Sequence, residues 1–298
     1  MLRAECAHSR AGFTLAELLL VIVLGALVLG LVASMGNGLR RQLAAWSSRV
    51  ASAEQLRGAA AILPLDLRAL SVSAGDIRAG EARDSSLEIR ATVASAIVCA
   101  AGAGEVQLAP YAGPAGQSSA LVQAGDTMWV LTDTDSTESW RAIPATSVRE
   151  APAGCAVLDA TAAGATRVFE TSRIVSAGIA AEHLPYVRPG AAVRVTRPIR
   201  YSVYRASDSR WYFGIRTWSS AAAQFATVQP VSGPYHRSAR SGTAFHYFDS
   251  TGVEVPSGAA DTWRITRVEA ALVADVPAGQ ASHVDDSLTL VVSPRNRR

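Results

Sequence analysis

The sequence predicts an α+β protein in which a long N-terminal helix packs on a mainly antiparallel β-sheet head. Residues 13–70 begin with a long apolar run and continue with apolar residues at steps of three and four, the spacing of one helix face. After Ser71 the pattern changes to short alternating runs separated by turn residues. No long helical crossovers separate the later runs, so antiparallel pairing is expected.

The helix begins in a segment that is long enough to span a membrane. From Phe13 to Ala33 only Thr14 and Glu17 interrupt a run of apolar residues. At a rise of 1.5 Å per residue this run is about 31 Å long, which matches a hydrocarbon core of roughly 30 Å. We therefore predict a single transmembrane segment over residues 13–35.

Two other interpretations of this run are open on composition alone. A cleaved secretory signal usually has a shorter apolar region of about 7–15 residues. A plain signal anchor would be oriented by flanking charge, but Arg3 and Arg10 precede the run and Arg40 and Arg41 follow it. The positive-inside rule is therefore nearly balanced.

Helical periodicity continues beyond the apolar run and predicts an amphipathic helix over residues 36–70. Pro64 is expected to end or kink this helix, with residues 65–68 adding a last turn. We expect the C-terminal part of the apolar stripe to pack on the head. The stripe consists of Leu39, Leu43, Trp46, Val50, Ala53 and Leu56.

The head is predicted over residues 71–298, with strands wherever apolar and polar residues alternate. Residues 206–209 are expected to form a hairpin loop, and residues 102–123, which are rich in Ala, Gly and Ser, an exposed loop or insertion. The predicted strands are Ser86–Thr92, Thr127–Thr132, Ile199–Tyr204, Trp211–Ile215, Thr243–Asp249, Thr266–Ala274 and Ser287–Val292.

The composition excludes several kinds of chemistry. All 28 basic residues are Arg and none is Lys, so a P-loop lysine, a Schiff-base lysine and a Ser-Lys nucleophile pair are excluded. The sequence has no Gly-x-Ser-x-Gly elbow and no His pair at metal-ligand spacing. A net charge of +3 does not by itself indicate nucleic-acid binding. We predict no catalytic residues, no cofactor and no nucleic-acid partner.

Glu17 distinguishes between the interpretations of the N-terminus. An ionised carboxylate costs about 2.5–3.5 kcal/mol at the centre of a membrane helix and less near its end. One hypothesis is that Glu17 reaches the interface and has no role. However, Gly12-Phe13-Thr14-Leu15-Ala16-Glu17, followed by the unbroken apolar run, resembles the processing site of type IV prepilins.

The resemblance implies a role for each residue of the motif. A membrane aspartyl peptidase would cut between Gly12 and Phe13, removing residues 1–12 as a leader, and would then N-methylate Phe13. Glu17 would pair with the terminal ammonium group of a neighbouring subunit. The apolar helix would stay on the mature protein and anchor it in the bacterial inner membrane as a single pass, with the head in the extracytoplasmic space.

The head resembles, more loosely, minor pilins of the PilW type and the J-type pseudopilin of type II secretion. The segments that carry this likeness are 62–68, 214–216, 245–252 and 264–273. The resemblance implies a non-enzymatic minor subunit of a type IV pilus or type II secretion filament, acting in filament initiation or at the tip. Its partners would be other pilins or pseudopilins, the prepilin peptidase and the inner membrane. The alternatives are a membrane-anchored extracytoplasmic binding module with a prepilin-like anchor, and a subunit of a DNA-uptake pseudopilus.

Removal of the leader leaves two of the three cysteines. Cys6 would leave with residues 1–12, so that Cys99 and Cys155 form an even pair in a compartment where disulfides persist. A disulfide between them is our prediction, and two independent buried thiols are the alternative.

One acidic cluster is a candidate metal site. Asp133, Asp135 and Glu138 place three carboxylates in six residues after a strand. Ca²⁺ prefers such oxygens, but the EF-hand pattern requires a Gly at the sixth position and a distant Glu, and neither is present. A solvated hairpin tip is the competing interpretation, so we predict no metal and keep these residues as a Ca²⁺ candidate only.

Overall fold

The computed structural model describes residues 14–110, 122–134, 137–151, 154–155, 174–220, 222–236, 244–275 and 287–294. It contains one long helix, α1 (Leu15–Arg68), short 3₁₀ turns and β-strands. The strands are β1 (Ile77–Ala82), β2 (Ser86–Gly102), β3 (Glu105–Pro110), β4 (Thr127–Thr134), β5 (Thr137–Pro144), β6 (Ser147–Glu150), β7 (Val175–Gly178), β8 (Ala192–Arg205), β9 (Trp211–Ser219), β10 (Gln224–Phe225), β11 (Gln229–Tyr235), β12 (Ala244–Phe248), β13 (Arg267–Val273) and β14 (Ser287–Val292).

The strands form two antiparallel sheets. Among the described residues, one sheet has eleven strands with the order β10-β9-β8-β2-β3-β7-β6; β1 pairs with β2, β11 with β9, and β4 with both β5 and β8. The other has three strands in the order β12-β13-β14. Every strand pair in the described part of the chain is antiparallel. The predicted α+β class, a long helix followed by a mainly antiparallel sheet, is confirmed.

The pairing of β2 with β8 organises the head. The two strands are in register from Ser86 opposite Ser202 to Ile97 opposite Ala192, with a bulge between Thr92 and Ala94. A bulge of this kind bends a strand and increases its twist. Here it separates two hydrophobic cores that share the same pair of strands.

The first core contains the end of the helix, and the second is formed by strands and the segments that connect them. Buried residues of the first core lie before residue 92 or after residue 198. Those of the second core all lie between residues 96 and 195, on β2 to β8 and the segments between them. Because β5 and β6 follow each other in the chain and stand at opposite edges of this part of the sheet, the sheet curves around the second core.

The chain divides into two compact units, and the boundary falls inside α1 after Ala51. In the second unit the helix packs on the first core through Ala59, Leu63 and Leu67, all fully buried. Gly58 permits the close approach, because a Cβ at this position would lie 2.9 Å from the Ser232 Cβ in β11.

Pro64 does not end the helix, which continues to Arg68. The reason is tertiary packing, since Leu63 and Leu67 on either side of the proline are fully buried. Hydrogen bonds from the amides of Ala69 and Leu70 to the carbonyls three residues earlier then tighten the last turn. The helix therefore stops two residues before the predicted boundary at residue 70.

Several strand predictions agree with the structure, and one segment was assigned wrongly. The β8–β9 hairpin pairs Arg205 with Trp211 around the predicted loop, and β14 has the predicted bounds. The predicted loop over residues 102–123 instead contains β3, whose Val106 and Leu108 are buried in the second core. The alternation of apolar and polar residues in β3 is short, and the Ala- and Gly-rich sequence on either side favoured a loop. Residues 111–121 lie outside the described part of the chain.

Candidate assembly site

Thr14 and Glu17 cap the N-terminal end of α1. The Thr14 amide and hydroxyl both donate to the Glu17 Oε2, at 3.0 and 3.1 Å. In return, the Glu17 amide donates to the Thr14 Oγ1 at 3.3 Å. This reciprocal arrangement is a capping box, which satisfies amides that the first turn of a helix leaves without partners. The structure thus gives the Glu17 carboxylate hydrogen-bond donors from its own chain.

Gly12 and Phe13, the two residues of the predicted cleavage site, lie outside the described residues. The first described residue is Thr14, which is the N-cap of the helix. The structure therefore places Glu17 but not the bond that the peptidase would cut.

The N-terminal unit presents an apolar surface. Its large apolar side chains between Leu15 and Val50 are 45–80% exposed. Within the described residues, α1 is the one helix long and apolar enough to cross a membrane, and none of its apolar window is buried. Such exposure on an isolated chain indicates a surface that other molecules cover, either lipid or further protein.

The predicted apolar stripe divides between the two units. Leu39, Leu43, Trp46 and Val50 are exposed, and so is Ala53, which we expected on the packing face. Leu56 does pack against the first core. The buried face of the second part of the helix begins instead at Ser52 and continues through Ala59, Leu63 and Leu67.

Two tyrosines hold this part of the helix against the sheet. The Tyr235 hydroxyl donates to the backbone carbonyl of Gln55 at 2.7 Å. The Tyr201 hydroxyl donates to the Asp66 carboxylate. Burial raises the pKa of the Asp66 carboxyl, and the hydrogen bond from Tyr201 opposes this shift. Burial also raises the pKa of Tyr201, so the phenol stays protonated and keeps donating.

Two buried carboxylates pair with arginines of β8. Arg197 of β8 makes two hydrogen bonds to the fully buried Asp126 carboxylate, at 2.7 and 2.8 Å. Arg194, three residues earlier, pairs with Asp76, which is also fully buried. These pairs are not recognisable in the sequence, because their partners are about 70 and 120 residues apart in the chain.

Cys99 and Cys155 are joined by a disulfide in the structure, with their Cα atoms 5.0 Å apart. Both are buried in a small cluster with Ala109 and Ile174 on the outer side of the second core. The bond connects β2 to the segment that follows β6.

The acidic Ca²⁺ candidate is only partly described. The backbone places Asp133 opposite Glu138 at the end of the β4–β5 hairpin. Asp135 and the side chains of Asp133 and Glu138 lie outside the described residues. Elsewhere in the described chain, no group of three His, Cys, Asp or Glu side chains is arranged to hold a metal ion.

A known family model matches the N-terminal part of the chain. Residues 7–33 match the family model of the prokaryotic N-terminal methylation motif. The match includes Gly12, Phe13 and Glu17 and supports a type IV pilin-like protein. No curated protein and no solved structure matches the chain significantly. The motif and the exposed apolar helix are consistent with anchoring in the inner membrane.

Proposed function

We propose that this chain is a minor pilin or pseudopilin subunit of a type IV pilus or type II secretion filament, acting in filament initiation or tip assembly. One observation carries the proposal. A prepilin methylation motif leads directly into an exposed apolar helix, and the same helix continues until it packs on a β-sheet head. Such a helix can leave the membrane and enter a filament without unfolding the head.

Processing prepares the N-terminus for assembly. The prepilin peptidase removes residues 1–12 and methylates Phe13, so that the new ammonium group lies four residues before Glu17. The capping box keeps the Glu17 carboxylate at the end of the helix. This carboxylate pairs with the terminal ammonium of a neighbouring subunit, which offsets the cost of a charge in an apolar environment.

The head is proposed to lie in the extracytoplasmic space. Disulfides form and persist in oxidising compartments, and the Cys99–Cys155 bond of the structure is suited to such a compartment. The partners of the mature chain are other pilin-like subunits, which contact its apolar helix, and the role is structural rather than catalytic.

Substitution of Glu17 tests the proposal. Gln is accepted at this position of a capping box, so Glu17→Gln removes the charge and retains the cap, whereas Glu17→Ala removes both. We expect both variants to be processed after Gly12, and both to be incorporated into filaments at least ten-fold less than wild type. The measurements are the mass of the N-terminal peptide and the amount of the chain in sheared filaments from the native host.

Glu54→Gln is the matched control, because Glu54 is the next acidic residue of α1 and is exposed. It should be incorporated like wild type. A chain that is not cut after Gly12 overturns the proposal. Normal filaments and secretion after deletion of the gene would also overturn it and favour an anchored binding module.

A further inference from the structure

We propose that Arg40 and Arg41 bind the phosphate groups of anionic phospholipids where α1 leaves the membrane. The inference rests on the proposed function only in that it places the apolar helix in a bilayer. The two arginines are adjacent, exposed and part of the N-terminal unit of the chain.

The length of the apolar segment sets the depth of these arginines. Residues 15–34 of the helix extend about 30 Å, the thickness of the hydrocarbon core. The Ser34 hydroxyl at the end of this segment donates to the Leu31 carbonyl at 2.8 Å, so it is satisfied without water. Arg40 and Arg41 follow about 9 and 10.5 Å further along the axis.

The direction of helical side chains brings the guanidinium groups back towards the membrane. Every Cα–Cβ bond in a helix tilts towards the N-terminus, which for this chain is the membrane side. The polar headgroup layer is about 5–7 Å deep on each side of the hydrocarbon core. An extended arginine crosses the remaining distance, with its methylenes along the apolar helix surface and its charge among the phosphates.

Charge complementarity favours phosphate as the partner. The sequence has no acidic residue between Glu17 and Glu54, so the positive charge after the apolar segment is not balanced locally. Among the described residues, neither Arg40 nor Arg41 has an ion-pair partner. A guanidinium matches phosphate geometry with two parallel hydrogen bonds. The assigned partner is therefore an anionic phospholipid headgroup.

Lipid binding to the purified full-length protein tests this inference. The apparent affinities of dioleoylphosphatidylglycerol and dioleoylphosphatidylcholine would be measured in detergent by native mass spectrometry. Each arginine near an anionic surface contributes about 1 kcal/mol, or roughly five-fold. We expect the double variant R40Q/R41Q to bind phosphatidylglycerol about 25-fold more weakly than wild type. Higher ionic strength should weaken the wild-type binding, because exposed charges are screened.

The double variant R57Q/R68Q is the control, since it removes the same charge from exposed positions of the same helix within the head unit. It should bind phosphatidylglycerol like wild type. Unchanged binding by R40Q/R41Q, or an equal loss in the control, overturns the inference. Lost filament incorporation with unchanged lipid binding would also overturn it and assign the arginines to an acidic neighbour. A wild-type chain that prefers phosphatidylglycerol but enters no filament contradicts the proposed function alone.

Discussion

At the scale of single residues, the sequence around Glu17 matches two patterns, a prepilin processing motif and a helix capping box. The position of Glu17 in an apolar helix predicts a charge that needs a partner from another subunit. The same residues also form the pattern Thr-x-x-Glu before an apolar run, the signature of a capping box. The structure shows this capping box. Because its sequence signature is complete, the box was predictable from the sequence. The pairing with a neighbour stays a prediction.

Asp249 closes the turn after β12. Its Oδ1 accepts hydrogen bonds from the Thr251 hydroxyl at 2.6 Å, the Thr251 amide at 2.9 Å and the Val253 amide at 3.0 Å. Its Oδ2 accepts one from Arg264 at 3.1 Å. These donors, the Thr251 hydroxyl foremost, lower the pKa of Asp249 to about 2. The ionised carboxylate therefore stabilises the folded chain.

Stability should depend on pH through Asp249. Because its pKa is lower in the folded chain than the ordinary 3.8, its contribution is complete above that value and is lost as the pH falls towards 2. We expect Asp249→Asn to unfold at a lower temperature than wild type at pH 6, with a difference that shrinks between pH 4 and pH 2. Thermal unfolding at several pH values measures this. A difference that stays constant down to pH 2 would contradict the assignment.

At the scale of elements, the contact of α1 with β11 depends on the absence of a side chain at Gly58. A Cβ there would lie 2.9 Å from the Ser232 Cβ and 3.1 Å from the Val231 carbonyl oxygen. The Val231 oxygen belongs to the backbone, to which the Ser232 Cβ is bonded directly, so neither atom can rotate away from the new side chain.

Gly58→Ala should therefore destabilise the protein. In an open helix position the same change stabilises by about 1 kcal/mol, but overpacking a close contact costs about 1–3 kcal/mol. We expect a net decrease in the free energy of unfolding, measured by denaturant titration of the full chain. Gly38→Ala is the control, because nothing lies within 4 Å of a Cβ at that helical position. Equal stability of the two variants would show that the helix and β11 adjust freely.

Elements with strong local patterns were predictable, and those defined by their neighbours were not. The β8–β9 hairpin and β13 alternate over enough residues to be identified locally. In contrast, β7 has four consecutive buried residues and β6 only one that is partly buried, so neither shows alternation. These short strands exist because they pair with each other around the second core.

At the scale of the whole molecule, the division into two cores was not predictable. It follows the β2–β8 register and the bulge within it. The local patterns used to predict strands do not indicate which distant strands and charged side chains meet. The sequence established that a sheet-rich head follows the helix, and the structure added how its parts are joined.

The disulfide between Cys99 and Cys155 should stabilise the head as a whole. Its partners are separated by 56 residues, and closing a loop of that length contributes about 4 kcal/mol in the chain-entropy model. We expect the double variant C99S/C155S to lose stability of this order in denaturant unfolding of the full chain. Mass spectrometry of the unreduced wild type provides the check, since two free thiols there would contradict the bond.

The bulge in the β2–β8 pair separates two cores that are also separate along the coding sequence. The second core, the β4–β5 hairpin and the disulfide are all encoded by one uninterrupted stretch between residues 93 and 195. The first core and the helix are encoded on either side of it. Recombination at the two ends of that stretch would exchange the second core as a unit. The machinery that recognises the N-terminus would then meet an unaltered helix and an unaltered first core.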